Sequence, residues 1–128
     1  MTIGTRAIFK AFGGKLVGNR SMKISVCKTL SKMPDEVIDV VTRNCWFVSS
    51  LDDAYAFTFT GNDLLGQHLI FLSEDLLRQD WEQIEHSIAH EIGHVVLGHR
   101  NSVSVKQTKQ EIKKQEKEAE LFARGLGL

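Results

Sequence analysis

The sequence predicts an α+β fold: a small antiparallel sheet packed on one long helix, with a further, highly charged helix closing the chain. Three observations carry this. Residues 45–72 hold short runs rich in aromatic and β-branched side chains, and from about residue 80 the apolar period lengthens to that of a helix. The 128 residues also contain no repeat, no low-complexity linker and a single proline, Pro34, so nothing divides residues 1–128 into separable units. That length suits one domain, on the usual scale of roughly 100 to 200 residues each.

The elements follow in order. In the first 30 residues Gly13, Gly14 and Gly18 predict turns between short elements, and residues 23–26 read as a strand. A helix opens at residues 31–36, where Pro34 suits a first turn and Asp35 and Glu36 favour the dipole. Val37, Ile38, Val40 and Val41 form its buried side, and Asn44 ends it. Residues 45–50 and 54–60 are strands by composition; the segment 61–66 carries turn residues, and residues 68–72 return as a third strand. Residues 80–98 form the long helix and residues 104–124 the last one, which Gly125 and Gly127 end. Trp46 and Trp81 read as core.

Composition narrows the function classes. With 42% hydrophobic and 25% charged residues the chain is an ordinary globular one. Sixteen Lys and Arg balance sixteen Asp and Glu, so no net field favours nucleic acid or an anionic membrane. No run approaches the roughly 20 apolar residues of a membrane span. Arg6, Lys10 and Lys15 are scattered among the apolar residues of the amino terminus, unlike a secretory signal. Cys27 and Cys45 have neither disulfide-framework nor metal-knuckle spacing and read as free thiols. The expectation is a soluble cytoplasmic protein that contacts neither nucleic acid nor membrane.

The chemistry lies in the long helix, at His90-Glu91-Ile92-Gly93-His94. On a helix of about 3.6 residues per turn, two histidines four apart share a face and can hold one Zn²⁺ at about 2.0 to 2.1 Å each. Glu91 lies beside them, placed to reach a water rather than the metal, as a general base does in hydrolysis of an amide bond. At about 100° per residue Trp81, Ile84, Ile88, Ile92 and Val95 make the core stripe, and the two histidines point away from its centre. Gly93 and Gly98 keep the helix slim, a sign of close approach by another element.

A catalytic zinc takes three protein ligands and an open position. The last helix offers Glu111, Glu116, Glu118 and Glu120. Its apolar stripe runs through Val105, Ile112, Ala119 and Ala123; Glu116 falls inside it, and Glu118 projects to the opposite side. An acid inside an apolar stripe needs a partner, which favours Glu116 as third ligand over a solvated member of a Lys/Glu-rich face. Glu120 flanks the stripe one turn on, where it can accept a hydrogen bond from a ligand histidine. Tyr55, the only tyrosine, is a candidate to stabilise the oxyanion, against plain core packing. His99 reads as a helix-end residue favoured by the dipole, and His86 and His68 as surface residues. The lysines of 106–117 read as a solvated face.

Residues 67–124, with LIFLSEDL, IAHEIGHVVLGHR and EKEAELFAR, resemble the ImmA/IrrE family of small zinc metallopeptidases, which belong with the gluzincins. The resemblance implies His90 and His94 as zinc ligands, Glu91 as general base and Glu116 as third ligand. Members commonly have Asn, and related gluzincins Asp, where this chain has Glu120. It further implies a protein substrate, a helix-turn-helix repressor of a phage, a mobile element or a stress response. The functional expectation is a metallopeptidase with one zinc per chain. Two alternatives stand beside it: a zinc-binding interaction module that does not cut, and a latent peptidase whose Gly-Leu-Gly-Leu tail fills the open zinc position.

Overall fold

The computed structural model describes residues 4–50, 56–59, 67–99 and 108–128. In chain order the elements are α1 (Thr5–Phe12), β1 (Leu16–Val17), α2 (Arg20–Leu30), α3 (Asp35–Asn44), β2 (Cys45–Ser50), β3 (Ala56–Phe59), β4 (His68–Ser73), α4 (Glu74–Leu77), α5 (Trp81–Val96) and α6 (Lys109–Gly125). The α+β class holds, with more helix than the sequence reading allowed.

Residues 23–26 belong to α2, not to a strand. Met22, Val26 and Leu30 recur at four-residue intervals and all three are fully buried, the spacing of one helix face. Ile24 is left exposed. Asn19 starts the helix, its side-chain oxygen accepting the Met22 N–H at 2.9 Å. In α3 the buried residues are Ile38, Val41 and Thr42, whereas Val40, expected inside, is exposed because it lies off that face.

The sheet corrects the antiparallel expectation. Its order is β1-β2-β4-β3, with β1 parallel to β2, β2 parallel to β4, and only the edge strand β3 antiparallel to β4. Cys45 pairs with His68 and Phe47 with Ile70 along β2 and β4, while Ala56 faces Leu72 on the other side. The successive strands β2 and β3 do not pair. Instead α2 and α3 form the long crossover that joining parallel β1 and β2 requires, and β4 inserts between β2 and β3.

Cys45, Phe47, Ile70 and Leu72 are fully buried from the sheet's covered face. Trp46, one residue out of phase, is 37% exposed rather than in the core, as the two-residue period of a strand dictates. Trp81 is half-buried against the core, with the Lys28 and Lys32 ammonium groups 5.3 and 5.7 Å from its ring centroid. His68, expected to be exposed, is half-buried; its Nδ1 has no hydrogen-bond partner, and burial pushes its pKa down.

Helix α5 is the spine of the domain, in contact with α2, α3, β3, β4 and α6. Ile84, Ile88, Ile92 and Val95 are buried along it, as its periodicity predicts. Asp80 caps its start by accepting the Gln83 N–H at 3.0 Å. No helix among the described residues is long and apolar enough to cross a membrane.

Candidate metal centre

Helices α5 and α6 build the site between them. His90 and His94 stand one turn apart on α5, ring centroids 5.0 Å apart and planes at 80°. From α6, Glu116 reaches both: Oε2 is 2.8 Å from His90 Nε2 and Oε1 is 3.1 Å from His94 Nε2. One donor atom from each of the three lies within 4.8 Å of the others, the convergence a single ion requires.

The approach of the helices depends on Gly93. A Cβ there would lie 3.0 Å from Phe122 Cδ1 and 3.2 Å from both Cα and O of Ala119, so a side chain would push α6 away. Glu116 precedes Ala119 by three residues and so shares its face. The buried contact ends at Ala119, however. Glu116 has 56% of its side chain exposed and Ile112 is exposed too, against the expectation of a continuous apolar stripe. Val105 and Tyr55 lie outside the described residues. The cluster thus has a closed side, formed by α5, and an open side at Glu116.

Burial pushes the His94 pKa down to about 4, helped by His90 and His99 and opposed by Glu116. His94 is therefore neutral near pH 7, the form whose nitrogen lone pair can bind a metal. Glu91, next to His90, is buried in α5.

Outer groups surround the cluster. Glu120 Oε1 is 2.6 Å from His86 Nε2 and 3.4 Å from His90 Nδ1. Burial raises the Glu120 pKa, but its hydrogen bonds and charge interactions with His86 and His90 outweigh this and hold it below the usual carboxylate range. His86 is not the simple surface residue expected. Its other nitrogen, Nδ1, meets the Leu128 carbonyl at 2.9 Å, so both ring nitrogens face oxygen acceptors. The tail after α6 is thereby held against His86, one turn from His90.

Two residues escaped the sequence reading. His99, taken for a helix-end residue, is buried with Nδ1 2.9 Å from His94 Nδ1, and its Nε2 is 3.2 Å from Glu118 Oε1. Glu118, placed on the far side of α6, thus reaches the site through His99. The reason is the turn that ends α5. Gly98 takes a left-handed φ of 70°, its N–H donates to Val95 O at 3.1 Å, and the His99 N–H donates to His94 O at 2.9 Å. This closure folds the chain back over the last helical turn. The pair Gly98-His99 was the available signal, since a residue just after such a glycine packs back near the helix end.

The family model described as Peptidase family M48 matches residues 21–123, from α2 to near the end of α6 and across every residue of the cluster. No curated protein and no solved structure is significantly similar to the chain. The chain belongs to peptidase family M48, a family of metallopeptidases.

Proposed function

We propose that this chain is a zinc endopeptidase in which His90, His94 and Glu116 hold one zinc ion and Glu91 is the general base. The convergence of the three donors within 4.8 Å, from two helices, is the observation that carries the reading. Two imidazoles and one carboxylate are a known catalytic donor set that leaves a position for water or substrate, and the exposed side at Glu116 gives access to it. Bound there, zinc supplies Lewis acidity, polarising a peptide carbonyl and making water acidic near neutral pH.

The chain's own residues do the rest. Glu91 accepts the proton of the attacking water and returns it to the leaving amine. Glu120, braced by His86, holds His90 by accepting from its Nδ1–H. The substrate is a protein, and the resemblance of residues 67–124 to the ImmA/IrrE family supports a helix-turn-helix repressor in the cytoplasm.

Two measurements test this. Elemental analysis of purified protein should give one zinc per chain, weakened in Glu116→Gln; no zinc after reconstitution would sink the reading and favour a module that does not cut. Co-expression with a repressor encoded beside this chain should yield cleavage that Glu91→Gln abolishes. A repressor left intact while Glu91 is present would count against that substrate.

A further inference from the structure

Both ring nitrogens of His94 are engaged. Nε2 faces the donor cluster, 3.1 Å from Glu116 Oε1, and Nδ1 faces His99 Nδ1 at 2.9 Å. Two imidazole nitrogens at that distance share one proton, one donating and the other accepting through its lone pair. His99 Nε2 is 3.2 Å from Glu118 Oε1.

The chain ends on a carboxylate at each side, Glu116 at His94 Nε2 and Glu118 at His99 Nε2, and with a metal ion held at His94 Nε2 its direction is set from Glu118. An ionised Glu118 can only accept, so His99 carries its proton on Nε2 and presents a lone pair at Nδ1. His94 Nδ1–H then donates to that lone pair, which leaves His94 Nε2 unprotonated and turned toward His90 and Glu116. The opposite arrangement would put the His94 proton on Nε2 and block that nitrogen as a ligand. His99 is suited to the task because it is held twice. Its backbone N–H donates to His94 O at 2.9 Å, and its ring packs edgewise on the His94 ring with centroids 5.2 Å apart. It is only 8% exposed, so water competes little for the ring contact.

We propose that His99 and Glu118 are a positioning pair for His94, holding its ring and keeping its proton on Nδ1 so that Nε2 is available to the metal. The inference rests on His94 being a zinc ligand and goes beyond that reading by assigning its orientation to two residues outside the donor set.

The test is zinc affinity measured by competition with a chromophoric chelator on the full chain. His99→Phe keeps the ring's bulk and removes both nitrogens; it should weaken zinc binding roughly 10- to 100-fold. His99→Asn, which returns an oxygen acceptor near the Nδ1 position, should recover most of the loss. Glu118→Leu should weaken binding and Glu118→Gln, which keeps an acceptor oxygen, should do so less. Far-UV circular dichroism and melting check that each variant folds. A folded His99→Phe variant with wild-type affinity overturns the proposal, as does His99→Asn with no recovery. Should wild type bind no zinc, the metal reading fails by itself, and ¹⁵N spectra of the metal-free chain decide the pairing. An N–H···N coupling between His94 Nδ1 and His99 Nδ1, lost in His99→Phe, supports it, and no such coupling in wild type overturns it.

Discussion

Gly93 of α5 and Ala119 of α6 pack backbone to backbone: a Cβ on Gly93 would stand 3.2 Å from both Cα and O of Ala119. That contact sets how far Glu116 can reach toward His90 and His94. In Gly93→Ala the helix gains about 1 kcal/mol of propensity, but the new methyl group crowds backbone atoms that move only with the whole helix. Overpacking typically costs about 1 to 3 kcal/mol. The expected result is little gain or a net loss in urea-unfolding stability together with weaker zinc binding. Gly93→Val should worsen both. Unchanged zinc affinity in both variants would show that the crossing does not control the site.

Glu91 and Glu116 are both acidic but should fail differently. Glu91→Gln is expected to keep zinc and lose about 10²- to 10⁴-fold in peptide hydrolysis, the usual contribution of a general base. Glu116→Gln should lose zinc affinity first and activity as a consequence. Excess zinc would therefore restore part of the activity of Glu116→Gln and none of that of Glu91→Gln. Zinc rescue of Glu91→Gln would move that residue from proton transfer to metal binding.

His86 and Glu120 form an outer brace on His90. Replacing Glu120 by Ala removes the acceptor near His90 Nδ1, and zinc affinity should fall roughly 10- to 100-fold, as for other outer partners of ligand histidines. Glu120→Asp keeps the charge but shortens the reach across a contact already at 3.4 Å, so it should fall between Ala and wild type. Chelator competition would rank the three proteins. Equal affinities would remove Glu120 from the site.

The two thiols predict alkaline sensitivity. Cys27 and Cys45 are free and buried; burial pushes Cys27 up to about 11 and Cys45, with Lys15 partly opposing, up to about 12. Their unshifted value is 9.0, so on raising the pH the unfolded chain loses these protons first. The stability they contribute is complete below 9.0 and is lost progressively as pH climbs from there through about 11 to 12. Urea midpoints should drop between about pH 8 and about pH 10. In Cys45→Ala the drop should be shallower even though the cavity lowers the starting midpoint. Identical slopes would show that Cys45 does not contribute.

Much of the site was legible because its spacing is local. His90 and His94 share a face through helical geometry alone, and Gly93 announced the close approach that Ala119 and Phe122 make. Glu116 stood out as an acid on an apolar stripe, although the stripe is shorter than its pattern suggests and the side chain is half-exposed. His99 and Glu118 were missed because each was judged on its own helix, whereas their meeting depends on how the turn at Gly98 lays His99 against α6.

By itself the sequence determined the helices around Ile38, Ile88 and Ala119, the strand composition of residues 45–50 and 68–72, and the pairing of two histidines on one face. Each of these follows from periods of two or about 3.6 residues, which the chain carries locally. Only the tertiary structure decided that β4 lies between β2 and β3, that Trp46 faces outward, that His86 meets Glu120 and that His99 joins His94 to Glu118. Those outcomes depend on which surfaces bury one another across dozens of residues, and a local period does not choose a neighbour.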